Sequence, residues 1–170
     1  VVKTTNTGAN LNGWVFDIKD SAGTIVATLT TDANGVATSG NLLPGNYTVV
    51  ERASGSAYWV SDVSPKSVTV VAGSTKDVTA NNMHYGRITI SKTTNTGVDK
   101  DNWVFTVYTD SACTKVAKDK NGNAVTMTTN TNGTAVSGYL LPGNYYVKET
   151  GGTRWSDTYY WTMSTEVKTV

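Results

Sequence analysis

Apolar and polar side chains alternate along much of this chain with a period of two residues. In the segment RITISK, Ile88 and Ile90 alternate with polar residues. This period is typical of β-strands that bury one face. Short runs rich in Val, Thr, Tyr and Trp are separated by clusters of Gly, Asn, Asp and Pro, which favour turns. The sequence therefore predicts an all-β fold without a convincing helix.

In the first half of the chain, the alternation predicts a series of short strands. They are Val1–Thr5, Trp14–Lys19, Ile25–Thr30, Val36–Thr38, Asn46–Glu51, Tyr58–Val63, Ser67–Val71 and Lys76–Asn82. Short strands at regular spacing with glycine-containing turns favour an immunoglobulin-like, Greek-key β-sandwich.

The chain is also an internal repeat. Three segments recur in the same order: Lys3–Gly8 as Lys92–Gly97 (KTTNTG), Trp14–Phe16 as Trp103–Phe105 (WVF), and Leu42–Tyr47 as Leu140–Tyr145 (LLPGNY). Each copy is long enough to bury one modest core, so we expect two tandem domains, 1–85 and 86–170. Between them, only 83–86 lie outside predicted strands, which is too short for a flexible tether. The sequence thus predicts a semi-rigid, rod-like pair.

Polar residues occupy inward positions in several predicted strands. Lys3, Glu51 and Asn82 each continue a row of apolar residues spaced two apart. We therefore expect a lysine, a carboxyl group and a carboxamide to meet inside the first sandwich. Lys92 and Glu149 repeat the first two of these residues in the second copy.

Two alternatives remain for these residues. Lys3 and Glu51 could form an ordinary ion pair at the strand ends, with both charged groups in solvent. Asn81 precedes Asn82, and a β-bulge would turn Asn81 inward in its place, although the alternation favours Asn82.

Composition limits the classes of function. The net charge is +1 with acids and bases interspersed, so no basic stripe indicates nucleic-acid binding, and no apolar run is long enough for a membrane span. Cys113 is the only cysteine, which excludes an internal disulfide. His84 is the only histidine and reads as a solvated linker residue, so we expect no catalytic triad, no multi-histidine metal site and no cofactor. Calcium in the Asp- and Asn-containing turns stays open.

On these motifs, the chain resembles tandem collagen-adhesin B-type (CnaB) domains, which are the immunoglobulin-like modules of Gram-positive adhesins and pilins. The similarity rests on a strand-borne lysine, WVF, TTDANG or TTNTNG, LLPGNY and a glutamate, in this order and twice. It implies a spontaneous isopeptide bond between Lys3 and Asn82, promoted by Glu51. It further implies a structural stalk or adhesin segment outside the cell, attached to the wall, monomeric, with neighbouring domains of the same protein as partners and no turnover enzyme activity.

The second copy departs from the pattern of that family. Glu149 is the counterpart of the promoting glutamate, but STEVKTV at Ser164–Val170 aligns with SPKSVTV at Ser64–Val70. We therefore expect the last strand, with the partner of Lys92, to lie beyond Val170. Either the sequence is trimmed there, which we favour, or another segment fills the open edge of the sheet.

Elementary chemistry explains why such a bond needs these three residue types. An amine attacks a carboxamide only when it is neutral, and burial disfavours the charged form of a lysine. A buried carboxylic acid can donate a hydrogen bond to the carboxamide carbonyl and pass a proton to the departing ammonia. Folding supplies the high effective concentration that the reaction needs.

A binding module is the alternative function. Four aromatic residues near the end of the chain could stack on a glycan or contact a host matrix protein: Trp155, Tyr159, Tyr160 and Trp161. Lys66 faintly resembles the lysine through which pilins polymerise, but the residues expected before Pro65 are missing.

Overall fold

The computed structural model describes residues 1–53, 56, 58–152 and 166–170. These residues form two compact units, Val1–His84 and Tyr85–Val170. The described residues contain β-strands and no helix, and therefore no helix that could span a membrane. The predicted all-β fold is confirmed.

The strands lie in the following positions along the chain. In unit 1 they are β1 (Val2–Thr5), β2 (Val15–Lys19), β3 (Ile25–Thr30), β4 (Gly45–Glu51), β5 (Trp59–Val60), β6 (Lys66–Val70) and β7 (Thr79–His84). In unit 2 they are β8 (Thr89–Ser91), β9 (Val104–Tyr108), β10 (Thr126–Thr128), β11 (Thr134–Val136), β12 (Tyr146–Gly151) and β13 (Val167–Thr169).

Unit 1 is a sandwich of two sheets. One sheet has the strand order β3-β2-β4-β6, and the other has the order β1-β7-β5. The first and last strands, β1 and β7, run parallel, with Lys3 opposite Ala80. Inward residues of both sheets form the buried core, which comprises Trp14, Phe16, Ile18, Val49 and Ala80. The alternation read from the sequence is therefore the alternation of core and solvent faces.

Unit 2 repeats the larger sheet with the order β10-β9-β12-β13. Its second sheet contains β11 and β8, which pair in antiparallel fashion. The core again draws on both sheets and includes Val107, Met127, Ala135, Leu140 and Val147. Among the described residues, β8 has no parallel neighbour comparable with β7.

Two predicted strands are shorter in the structure. Val36–Thr38 is reduced to one bridge, between Val2 and Val36. Tyr58–Val63 is reduced to β5, because Asp62 accepts hydrogen bonds from the Ser64 backbone and the Lys66 side chain and bends the chain there.

The predicted linker is wrong at its first two residues. Met83 and His84 belong to β7, and the Asn6 side chain extends the pairing by accepting a hydrogen bond from the His84 backbone at 2.7 Å. The His84 imidazole stacks parallel to the Tyr58 ring, with ring centres 6.1 Å apart. It also lies edge-to-face with the Trp59 ring, with ring centres 4.7 Å apart. His84 is thus a packed strand residue of unit 1.

The alignment of Ser164–Val170 with Ser64–Val70, read from the sequence, is wrong by two residues in the strand β13. Val170 exchanges backbone hydrogen bonds with Tyr145, whereas Val68 is the residue opposite the equivalent Tyr47 in unit 1. Val170 therefore corresponds to Val68 and not to Val70. Since strand side chains repeat every two residues, a shift of two leaves the hydrophobic pattern unchanged, and the sequence could not resolve it.

A glycine in a tight turn allows close approach to the strand that carries the lysine. Gly35 has φ +78°, and its carbonyl accepts a hydrogen bond from the Lys3 backbone at 2.7 Å. A Cβ at this position would lie 2.6 Å from the Lys3 carbonyl oxygen. Gly133 has the same relation to Lys92, with φ +77° and a corresponding distance of 2.8 Å. The position of this glycine in the TTDANG and TTNTNG motifs therefore requires both a positive φ and the absence of a Cβ.

We predict that Gly35→Ala destabilises unit 1 more than Gly23→Ala does. Both glycines have positive φ, but a Cβ on Gly23 would meet nothing within 4 Å. Gly23→Ala should cost about 1 kcal/mol, or roughly 4–8 °C in the melting temperature of a unit this size. Gly35→Ala adds a clash with backbone and should cost about 1–3 kcal/mol more. Calorimetry of the full chain measures both, and equal shifts would contradict the close-approach explanation.

Candidate functional site

Three polar side chains meet in the core of unit 1. Lys3 from β1, Glu51 from β4 and Asn82 from β7 are 1%, 3% and 1% exposed. The Lys3 Nζ donates a hydrogen bond to Asn82 Oδ1 and lies 3.3 Å from Glu51 Oε2. Asn82 Nδ2 donates to Glu51 Oε1 at 2.6 Å. Each of the three groups therefore contacts the other two.

Of the two adjacent asparagines, the structure brings Asn82 to the lysine. Asn81 is exposed, and its side chain accepts a hydrogen bond from the Thr4 hydroxyl at 3.2 Å on the outer face. The strand alternates regularly here, without a bulge. Asn82 therefore lies on the core face of β7, and Asn81 lies on its solvent face.

The carboxamide of Asn82 is held in one orientation. Its nitrogen donates to Glu51 and also to the backbone carbonyl of Val60, at 2.9 Å. Its oxygen accepts from Lys3. The sequence did not indicate the Val60 contact, because it comes from a backbone atom of β5.

One aromatic ring covers a side of the lysine amine. The Lys3 Nζ lies 4.1 Å from the centre of the Trp14 ring, and Trp59 packs edge-on against Trp14 with ring centres 5.5 Å apart. The indole nitrogen of Trp14 donates to the Asn10 carbonyl at 2.7 Å, which fixes the ring. The amine is therefore removed from water on its Trp14 side.

Burial dominates the electrostatics of the amine. It lowers the pKa of Lys3 below its usual 10.5, and the charge and hydrogen bond of Glu51 only partly oppose this effect. Among the described residues, Glu51 Oε2 is the buried side-chain oxygen without a well-aligned hydrogen bond, and its polar contact is the ion pair with the Lys3 amine at 3.3 Å. Burial thus shifts the amine toward its neutral form, next to a carboxyl oxygen.

A buried threonine, missed from the sequence, supports this aromatic wall. The Thr31 hydroxyl accepts a hydrogen bond from the Trp14 backbone at 3.0 Å and donates to the Leu11 carbonyl at 2.6 Å. Thr129 makes the same pair of contacts with Trp103 and Lys100 in unit 2. The recurrence of TTDANG as TTNTNG was the available signal, but the sequence could not say which threonine faces inward.

Unit 2 assembles part of the same site. The Lys92 Nζ forms an ion pair with Glu149 Oε2 at 2.7 Å and lies 3.8 Å from the centre of the Trp103 ring. Glu149 is 4% exposed. No carboxamide of a described residue is hydrogen-bonded to Lys92.

The remaining sequence-based candidates are the four aromatic residues, Lys66 and the metal sites. Trp155, Tyr159, Tyr160 and Trp161 lie outside the described residues. Lys66 pairs with Asp62 at 2.8 Å. Within the described ranges, no group of three or more His, Cys, Asp and Glu residues could hold a metal ion.

We predict that Thr31→Val weakens unit 1 by about 2–4 kcal/mol, because two buried backbone groups lose their hydrogen-bond partner. Thr31→Ser keeps the hydroxyl and should cost less than about 1.5 kcal/mol. Hydrogen exchange of the Trp14 amide, the group that donates to Thr31, measures the effect directly. Equal protection of this amide in the two variants would show that the hydroxyl does not hold Trp14 in place.

Comparisons with known proteins agree with this architecture. A family model described as a SpaA prealbumin-like fold domain matches residues 1–84 and again 86–154. The chain did not match any curated protein sequence.

Solved structures similar to the chain come from Gram-positive bacteria. They include the Bacillus anthracis TIE protein (25% identity, TM-score 0.48), a streptococcal ancillary pilin (22%, 0.38) and a variant of BcpA, the major pilin subunit of Bacillus cereus (14%, 0.41). Each match covers 99% of this chain, and the chain spans 30%, 56% and 93% of those proteins, respectively. The family model covers both repeats, as the resemblance read from the sequence predicts, and the chain belongs to the SpaA family of prealbumin-like fold domains.

Proposed function

We propose that unit 1 is locked by an isopeptide bond between Lys3 and Asn82, and that the chain is a load-bearing segment of a Gram-positive surface protein. The observation that carries this proposal is the buried contact of the Lys3 amine with the Asn82 carboxamide beside Glu51. Ionisable groups are rarely buried, because desolvation is costly, and buried groups with shifted pKa values are concentrated at functional sites.

The proposed reaction exchanges one amide for another. The neutral Lys3 Nζ attacks the Asn82 side-chain carbonyl carbon, the new carbon–nitrogen bond forms, and the bond to Nδ2 breaks. Lys3 gives up a proton and the departing nitrogen gains one, so the products are a secondary amide and ammonia. No oxidant or cofactor is required.

Glu51 is suited to carry the proton between the two nitrogens. Its Oε2 lies 3.3 Å from Lys3 Nζ, and its Oε1 accepts a hydrogen bond from Asn82 Nδ2 at 2.6 Å. The carboxyl group can therefore receive a proton on one oxygen and deliver one from the other. From the sequence, we expected Glu51 to contact the carboxamide oxygen. Here the nitrogen faces Glu51 and the oxygen faces Lys3, which favours the proton-transfer role.

The mechanical consequence follows from strand order. β1 and β7 are the first and last strands of unit 1, and they are adjacent and parallel. A bond between residues 3 and 82 closes nearly the whole unit into one covalent loop. By analogy with a disulfide that closes such a loop, the stabilisation is roughly 4–5 kcal/mol. A force applied to the ends of the unit would then pass through the bond without unfolding the core.

A place in a surface stalk fits the family. Two of the similar structures are pilins, and the net charge of +1 and single cysteine suit a structural module whose cross-link does not depend on redox conditions. In this proposal, the partners are neighbouring domains of the same extracellular, wall-attached protein, and the self-crosslinking occurs once per molecule.

We expect the intact mass of the denatured chain to be one ammonia below the value calculated from the sequence. Glu51→Gln keeps the size and hydrogen-bonding capacity of the side chain but cannot carry the proton, so its mass should equal the calculated value. Asn82→Ala should also remove the loss. Asn81→Ala is the matched control, and its ammonia loss should persist because Asn81 faces solvent. An unshifted wild-type mass would contradict the proposal.

We also expect the rate of bond formation to rise with pH. The pKa of Lys3 lies below 10.5 in the folded unit, so the neutral fraction of the amine grows as the pH rises toward that pKa and is complete above it. Chain isolated unfolded from inclusion bodies is refolded at several pH values, quenched with acid and weighed over time. The rate should increase by up to about tenfold per pH unit and then level off. A rate independent of pH would show that deprotonation of Lys3 does not control the reaction.

A further inference from the structure

The nitrogen that leaves in the proposed reaction is held by two acceptors. Asn82 Nδ2 donates to Glu51 Oε1 at 2.6 Å and to the backbone carbonyl of Val60 at 2.9 Å. A carboxamide nitrogen carries two hydrogens, so both are used. The oxygen of the same group accepts from Lys3. The site therefore matches a carboxamide atom by atom, with a donor facing its oxygen and acceptors facing its nitrogen.

The two acceptors differ in chemical kind. The Glu51 carboxyl group accepts when it is ionised and can donate when it holds a proton, whereas a backbone carbonyl such as that of Val60 only accepts. The atom of residue 82 that faces Val60 must therefore carry a hydrogen, whatever the protonation state of Glu51. Asn82 is 1% exposed, so solvent is not available to supply a missing partner.

The Val60 carbonyl is fixed relative to Asn82. Val60 lies in β5, which pairs in antiparallel fashion with β7, the strand that carries Asn82. Trp59 lies opposite His84 in this pairing, and their rings are in edge-to-face contact with centres 4.7 Å apart. A turn of the carbonyl away from the Asn82 side chain would disturb this pairing.

An aspartate at position 82 would have nearly the same shape but the wrong hydrogen-bonding pattern. One carboxylate oxygen would take the place of Nδ2, beside the Val60 carbonyl oxygen and Glu51 Oε1. Turning the carboxylate by half a revolution brings its other oxygen to the same place, so no orientation of the group avoids the contact. An oxygen removed from water in such surroundings is stable only when it carries a proton. The site thus favours a carboxamide over a carboxylate.

We propose that the backbone carbonyl of Val60 makes the unit 1 site specific for a carboxamide, because it holds the leaving nitrogen through one N–H and opposes a carboxylate in the same place. This inference rests on the proposed function, since it names the substrate group of that reaction. A backbone atom of β5 thus selects asparagine over aspartate at position 82.

The same contact gives the leaving nitrogen a fixed direction. As the Lys3 nitrogen bonds to the side-chain carbon of Asn82, Nδ2 leaves with its two hydrogens and a third, which Glu51 passes on from Lys3. One of the two original hydrogens stays on the Val60 carbonyl, so the nitrogen remains turned toward Glu51 while it gains the proton. The products are a secondary amide and neutral ammonia, and the carboxyl group ends in the protonation state in which it began.

The first test exchanges Asn82 for aspartate. Wild-type and Asn82→Asp chains are refolded from the unfolded state at pH 7, quenched with acid and weighed over time. Bond formation in the variant would release water in place of ammonia. We expect this water loss to be at least about tenfold slower than the ammonia loss of the wild type, because an ionised carboxylate must first take up a proton.

Asn81→Asp is the matched control for this exchange. It adds the same charge one residue away, on the solvent face of β7, and should lose ammonia at the wild-type rate. Water loss from Asn82→Asp as fast as ammonia loss from the wild type would overturn the inference.

A second test weakens the acceptor itself. Ser61 is replaced by its α-hydroxy acid counterpart through chemical ligation, which turns the peptide bond after Val60 into an ester, whose carbonyl oxygen is a weaker acceptor. With Asn82 present, ammonia loss should slow by about three- to tenfold, because the leaving nitrogen is held less firmly. With Asn82→Asp, water loss should become faster by a similar factor, because the carboxylate is opposed less. A general disturbance of β5 would slow both reactions, and that result would overturn the inference.

A third measurement does not depend on the reaction. In a Lys3→Met background, which cannot form the bond, Asn82→Asp is compared with Asn81→Asp by chemical unfolding at pH 5 and at pH 7. The other titratable groups near position 82 are the same in both variants, namely Glu51 and, through its charge on the lysine site, Asp62.

The introduced aspartate should bind a proton in the folded unit, so its pKa there is higher than in the unfolded chain. Its folded form is then most stable at low pH and loses stability as the pH rises toward that higher pKa. We expect the unfolding equilibrium constant of Asn82→Asp, relative to that of Asn81→Asp, to rise by up to about tenfold per pH unit. A ratio that is the same at both pH values, or a variant that folds at neither, would overturn the inference.

The outcomes also distinguish this inference from the proposed function. Absence of ammonia loss in the wild type would overturn both. Ammonia loss in the wild type, combined with equally fast water loss in Asn82→Asp, would overturn the specificity alone and leave the bond between Lys3 and Asn82 in place.

Discussion

The structure of unit 1 depends on the burial of one amine. A lysine side chain removed from water must be neutral or compensated, and here both effects operate, since burial lowers the pKa of Lys3 while Glu51 and Asn82 contact its nitrogen. The parallel pairing of β1 and β7 delivers the carboxamide, and the pairing of Phe16 with Glu51 delivers the carboxyl group from the facing sheet. The core is thus arranged around a polar contact as well as around apolar packing.

The two units show how neighbouring structure prepares this contact. In both, a glycine with positive φ lets a turn approach the lysine strand, and a buried threonine hydroxyl fixes the backbone of the tryptophan under the amine. In both, a glutamate reaches the amine from the other sheet. The units differ in the carboxamide. Where Asn82 is present, it contacts both partners, and lysine and glutamate lie 3.3 Å apart. Where no described residue supplies a carboxamide, lysine and glutamate lie 2.7 Å apart.

Much of this could be predicted from the sequence, because strand alternation is a strong signal wherever one face is buried. It placed Lys3, Glu51 and Asn82 inside, and the repeat identified Lys92 and Glu149. The misses have physical causes. Pairing with Asn6 and Trp59 extended β7 through His84, the two-residue period hid the register of β13, and the Val60 carbonyl has no side-chain signature. Each of these three features depends on contacts between residues far apart in the sequence, and a local sequence pattern carries no information about such contacts.

The most direct test of the central claim is to identify the cross-linked residues in the native chain. The purified protein is digested under denaturing conditions, and the fragments are sequenced by tandem mass spectrometry. The account predicts a branched fragment in which the side chain of Lys3 is joined to that of Asn82, with one ammonia missing and Asn81 unmodified. Recovery of Lys3 and Asn82 only in separate, linear fragments of unmodified mass would contradict it.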